Sequence, residues 1–207
     1  MSFPLALASV LTGATNSQLR SWRSKGLVVP EVRDARPTLY SFRDLVWLRT
    51  LVFLRSRTSL QRISIARVNL DLVDLTEHPS KYRFATNGKT ILVDDGAGTV
   101  IDLVKKPGQA DSFTFEEISE AFTDFRGRDV VDFRRPSTHI EVELGRLGGW
   151  PTIEGTRVPY DLVARLVDNR TVFARDVQSY YPSVSAAAAE DAVQFDSRIK
   201  AAGARQR

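Results

Sequence analysis

The spacing of apolar and polar positions divides the chain into helical and extended stretches. Leu5 to Val10 form a short apolar run that Gly13 closes. Thr15 and Asn16 are N-cap residues for a second helix through Lys25, which Gly26 ends. Within it Leu19 and Trp22 stand three apart and face inward, leaving Asn16, Gln18, Arg20 and Arg23 for solvent or a ligand. Two short helices joined by a tight glycine turn predict a helix-turn-helix. Glu31 to Tyr40 follow as a small basic hairpin, or wing. Ser41 then caps a helix from Phe42 to Arg57 striped by Leu45, Leu48, Leu51 and Val52, and Ser59 opens another to about Leu70.

Beyond that point the pattern changes. Glu77 to Ser80 read as a linker. Tyr82 to Ala85 and Thr90 to Val93 flank Asn87-Gly88, a two-residue hairpin signal, and Thr99 to Val104 supply a third strand. The Asp94-Asp95-Gly96 cluster between them is turn chemistry rather than a cation site. Thr114 to Glu117 match a capping box for a helix to about Phe125, with Phe115, Ile118 and Phe122 on one face. Val130 to Phe133 and Ile140 to Val142 read as strands around Arg134 and Arg135, two cations assigned to solvent. From Gly148 three short helices are predicted. The first starts at Pro159 and is striped by Leu162, Val163, Leu166 and Val167; the second ends at Tyr181-Pro182; Ser185 caps the third.

The expected fold class is therefore mainly α with a small antiparallel β-sheet (α+β). Residues 1–75 form a winged helix-turn-helix, 76–81 a linker, 82–135 a β-rich region with one helix, 136–200 a trihelical unit and 201–207 a flexible tail.

Charge and chemistry sharpen this. Residues 1–70 hold eleven Lys/Arg against three Asp/Glu, whereas 71–207 hold eighteen against twenty-two, so the front end is built to meet a polyanion. There is no cysteine and only His78 and His139, which excludes disulfides, thiolate metal sites and a cysteine nucleophile; no metal or cofactor is expected. Neither a phosphate loop nor a histidine-assisted nucleophile is present, and the protein is expected not to be an enzyme. No apolar run approaches the ~20 residues of a membrane span, and the first residues lack a basic leader, so a cytoplasmic protein is expected.

The runs LASVLTGATNSQLRSWRSKGLVVP, LYSFRDLVWLRTLVFLR and SLQRISIARVNL resemble the helix-turn-helix, wing and following helices of the MerR superfamily. That resemblance implies binding of double-stranded DNA, its own operator. It places Thr15, Asn16, Gln18, Arg20 and Arg23 on the recognition helix, and Arg33, Arg36, Tyr40 and Arg43 on or beside the wing. Wing cations would neutralise phosphates, while Asn16, Gln18 and Arg20 have side chains able to read base edges. Trp22 is assigned to the core, and Arg49, Arg55 and Arg62 to either DNA or solvent. Ser21 and Arg23 depart from the tyrosine and acidic residue common in that family, and no long coiled coil follows Leu70.

The string GGWPTIEGTRVPYDLVARLVDN, through Pro151-Thr152-Ile153-Glu154-Gly155-Thr156-Arg157-Val158-Pro159, resembles the DUF433 family, which implies a homeodomain-like trihelical unit. Asp176 to Ser197 contain no Lys or Arg, so the third helix is no groove reader. Its Val184, Ala188, Ala192, Phe195 and Ile199 form either a homodimer or partner interface, the reading preferred, or an internal core. Arg157 either pins its turn or meets an anion. A MerR-like front joined to this unit resembles antitoxins of the VapB type. That resemblance implies a type II toxin-antitoxin role: neutralising a PIN-domain ribonuclease toxin and autoregulating the operon. Arg198, Lys200, Arg205 and Arg207 would then reach the toxin's carboxylates. The alternative is a stand-alone regulator that senses a small ligand.

Overall fold

Capping residues start the helices where the sequence places them. In the computed structural model, which describes residues 1–72, 75–94, 100–104, 111–112 and 115–204, strand β1 (Phe3–Pro4) leads into α1 (Leu5–Thr12). Gly13 then turns the chain at φ +79°. An added Cβ there would stand 2.4 Å from Val130, so only glycine fits. Thr15 and Gln18 form a reciprocal capping box that begins α2 (Asn16–Ser24). The wing joins its arms at Arg33 and Leu39 and returns as β2 (Leu39–Tyr40), antiparallel to β1. A second capping box, Ser41 with Asp44, begins α3 (Phe42–Arg57), and α4 (Leu60–Leu72) follows.

Asp44 also settles the fate of the expected linker. Its fully buried carboxylate accepts hydrogen bonds from the backbone N–H of Ser41 (2.7 Å) and of Glu31 (3.0 Å), and lies 3.2 Å from His78 Nε2. Residues 76–81 are thus held against α3, with Pro79–Lys81 in a 3-10 turn and Pro79 buried.

In the middle region β3 (Arg83–Thr86) and β4 (Ile91–Asp94) form the predicted hairpin. Its turn is longer than the predicted two residues, because Asn87 Oδ1 accepts from the N–H groups of Lys89 and Thr90 and so draws four residues into the loop. Strand β5 (Val100–Asp102) and β6 (Asp111–Ser112) complete a sheet of order β5-β4-β3-β6. The proposed cap Thr114 and residues 95–99 lie outside the described residues.

Helix α5 (Phe115–Ser119) is far shorter than expected, and the buried Arg49 gives the reason. Its guanidinium donates to the carbonyls of Ile118 (2.7 Å), Ser119 (3.1 Å) and Glu120 (2.6 Å), taking the acceptors that further helical turns would have used. Phe122 accordingly sits in β7 (Phe122–Thr123), paired with β8 (Asp129–Val130), and its ring packs under Arg49 and edge-on to Phe53. Burial pushes the Arg49 guanidinium down to about 10, with Asp132 pulling the other way.

The last third holds β9 (Ile140–Glu141) and β10 (Thr152–Ile153), paired antiparallel, then α6 (Tyr160–Leu166) and α7 (Ala186–Ala204). Between the two helices Ala174–Ser179 form a 3-10 helix, so the middle member of the expected trio is not an α-helix. Ser185 caps α7 as predicted, and Ala201 to Ala204 continue it, where a loose tail was expected.

One continuous core joins all three regions. Rings run in contact from Phe133 through Phe42, Phe3, Trp150 and Tyr160 to Phe195, with centroid separations of 4.9 to 6.3 Å. Gly149, at φ +84°, makes this approach possible, because an added Cβ would stand 2.1 Å from the Phe42 ring. Helix α7 packs on α1 as well as α6, so the C-terminal unit rests directly on the helix-turn-helix.

Candidate nucleic-acid interface

Helix α2 divides its faces by simple spacing. Leu19 and Trp22 are buried, which bears out the core assignment of Trp22. Ser17, Arg20 and Ser24, at i, i+3 and i+7, are exposed on the opposite face. Ser17 and Ser24 were overlooked in the sequence, although the same spacing counted from Arg20 finds both.

Other predicted recognition residues have local work. Thr15 and Gln18 cap the helix, with the Gln18 side chain accepting from the Thr15 N–H at 2.8 Å. Asn16 Nδ2 donates to the Ala202 carbonyl of α7 at 2.7 Å. Arg23 forms an ion pair with Asp34 and also donates to the Asp34 carbonyl, binding the recognition helix to the wing.

On the wing, Arg33 and Arg36 are exposed, and neither guanidinium has a partner among the described residues. Arg43 pairs with Glu31 at 2.6 Å at the base of the wing. Tyr40 corrects the sequence reading: it is 1% exposed, because its strand pairs with β1 and turns the ring into the core. Burial raises its hydroxyl to about 12, Arg23 lowering and Asp44 and Asp34 raising it. Arg20, Arg23 and Arg36 together line an open groove of about 660 Å3, with Leu5, Ala6 and Gly203 also in its lining. With Arg23 matched by Asp34, Arg36, which has no partner among the described residues, leaves the groove cationic, the arrangement that attracts phosphate.

The cations of uncertain role separate clearly. Arg49 is buried as described. Arg55 donates to the Thr58 carbonyl and lies over Phe125, and Arg62 donates to the Gly88 carbonyl, so both brace the helix-to-sheet packing. Arg134 and Arg135 are exposed and pair with Glu116 and Glu154. Arg157 is exposed with no partner among the described residues, which removes the turn-pinning role favoured for it.

The expected partner face of α7 is not a surface. Val184, Ala188, Ala192 and Phe195 are each at most 4% exposed, because α6 and α1 close over that stripe; Ile199 is half-buried against the same core. These residues form the internal core, the reading the sequence analysis did not prefer. The nearby cations Arg198 and Lys200 are exposed and have partners within the chain. Arg198 donates to the Pro136 carbonyl (3.0 Å) and the Ser137 hydroxyl (2.9 Å), and Lys200 pairs with Asp196 at 2.6 Å. Arg205 and Arg207 lie outside the described residues.

Comparison with known families agrees with both resemblances. Residues 4–66 match the family described as MerR HTH family regulatory protein, and residues 140–195 match Protein of unknown function (DUF433). The chain thus carries a MerR-family helix-turn-helix domain at its N-terminus and a DUF433 domain at its C-terminus. Searches of curated proteins and of solved structures found no match. No helix among the described residues is long and apolar enough to cross a membrane.

Proposed function

We propose that the chain is a transcription regulator, a binding protein rather than an enzyme, that grips operator DNA with α2 and the wing. The observation that carries this is the cationic groove lined by Arg20, Arg23 and Arg36, next to the exposed Ser17–Arg20 face of a matched MerR-family domain. Arg20 and Ser17 would enter the major groove, and Arg33 and Arg36 would contact flanking phosphates. The test starts from a duplex selected from random sequence, or from the DNA preceding the protein's own reading frame. Arg20→Ala is expected to weaken binding and change base preference. Arg36→Ala should weaken all sequences alike and lower the salt slope by about 1. Unchanged affinity in both variants would overturn the reading.

The antitoxin role is the finer form of the same proposal. What favours a protein partner is the exposure of Leu162, Phe173 and Tyr180, three large apolar side chains on the C-terminal unit. A toxin, or a second copy of the chain, would have to use such residues instead of the buried face of α7. Co-expression with the product of the adjacent reading frame should yield a complex and restore growth. Growth arrest that persists, with no complex, would leave DNA regulation alone.

A further inference from the structure

We infer that the C-terminal end of α7 is itself part of the DNA-binding surface, lying beside the sugar–phosphate backbone between the recognition helix and the wing. This inference rests on the DNA-binding reading above and gives the last turn of α7, which lies beyond the matched residues 140–195, a direct part in it.

Two contacts fix the end of α7 in this place. Asn16, the first residue of α2, donates from Nδ2 to the Ala202 carbonyl at 2.7 Å, one of the last carbonyls of α7 that lack a partner within the helix. One residue further on, Gly203 lies against Ala6 of α1, where an added Cβ would meet the Ala6 Cβ at 3.7 Å, an ordinary contact. The helix end is therefore docked on both helices of the helix-turn-helix.

Gly203 then lines the same groove as Arg20, Arg23 and Arg36. Having no side chain, it leaves this part of the groove open. Among the described residues of α7, Lys200 pairs with Asp196 and Arg198 is held by the Pro136–Ser137 loop. The charged residues that line the groove are the arginines of α2 and the wing, so the ligand it attracts is an anion. A phosphate diester strand that follows those arginines must pass Gly203.

The position offers a test that reads the sign of charge. Gly203 has room for a side chain and is half-buried on a helix, so Gly203→Ala, Gly203→Glu and Gly203→Lys can be compared in the full chain at matched melting temperature. Affinity for the selected duplex and its salt dependence are measured for each. Gly203→Glu should weaken binding by about fivefold or more, and Gly203→Lys should tighten it and steepen the salt slope by about 0.9, with Gly203→Ala near the parent. Glu and Lys variants that bind alike would overturn the inference, whether both equal the alanine variant or both lose affinity through bulk. Arg36→Ala, measured alongside, separates the two claims. If it still weakens binding while charge at position 203 has no effect, only the role of α7 fails; if Arg20→Ala and Arg36→Ala are also silent, the DNA-binding reading fails with it.

Discussion

The recognition helix α2 and the C-terminal helix α7 both pack on α1, and they use their stripes in opposite ways. Helix α2 turns only Leu19 and Trp22 inward and keeps Ser17 and Arg20 in solvent. Helix α7 is alanine-rich, and Ala188, Ala189, Ala192 and Phe195 vanish between α6 and α1. Small side chains allow this close approach, and burial of a continuous stripe supplies its driving force. The contrast teaches that an apolar stripe states that a face is covered without naming the cover. A polar face beside a cationic wing is more informative, because Arg33 and Arg36 stay exposed with no partner among the described residues.

The comparison breaks most severely at the seam between the two units. Gly149→Val would place side-chain atoms within the Phe42 ring at a positive φ, and a loss of about 3 kcal/mol or more is expected, some 6 °C or more in melting temperature. DNA affinity should fall with it, since Phe42 begins α3 beside the wing. Two separate melting transitions, the first unchanged, would show that the helix-turn-helix stands independently of the C-terminal unit. For the same reason, deleting the front domain is a poor test of DNA binding: it would expose the core of what remains.

Arg49→Met comes next. It relieves the cost of burying a charge but strips donors from the Ile118 and Glu120 carbonyls and empties the space under which Phe122 packs, so a net loss of about 2 to 4 kcal/mol is expected by denaturant titration. Unchanged DNA affinity in the folded variant would sharpen the distinction between this buried arginine and the exposed Arg36.

Arg23→Ala should cost less than about 1 kcal/mol of stability, because its pair with Asp34 is solvent-exposed. Its expected signature is functional: a wing no longer tied to α2, and DNA binding weaker by several-fold. Intact affinity would mean that the wing's position does not depend on that pair.

The smallest effect concerns acid stability. Burial alone would raise the Asp124 carboxyl, but hydrogen bonds from the Arg128 guanidinium and from the backbone N–H groups of Arg128 and Arg126 outweigh it and hold the group below the ordinary aspartate range. The charged form is thus favoured by folding. Its contribution is full above pH about 4 and is lost as pH falls through the depressed value. Asp124→Asn should be less stable near neutrality, with the difference narrowing in acid; a constant gap would refute the assignment.

The helix-turn-helix was legible because its signals are local. Gly13, the Thr15–Gln18 box and the Ser41–Asp44 box act over three or four residues, and the observed bounds of α3 match those read from the sequence. The exposure of Arg20 was legible from spacing, and the place of Arg36 on the wing from the basic hairpin and the MerR resemblance. Tyr40 was misjudged because its strand pairs with β1, and the contacts of Asn16 with Ala202 and of Arg23 with Asp34 were not legible, because those partners come from elsewhere along the chain. Arg49 had no sequence signal, since a buried guanidinium that donates from Nε and Nη2 to backbone carbonyls depends on a helix end seventy residues away.

By itself the sequence determined where helices begin, which turns require glycine, and that the positive charge is gathered at the front, because caps, backbone conformation and charge need no distant partner. Only the tertiary structure decided that α7 faces inward, that the expected linker is anchored by His78 on Asp44, and that the last turn of α7 meets the recognition helix. Those outcomes rest on contacts between residues far apart in the chain, and such contacts form only when the whole core closes.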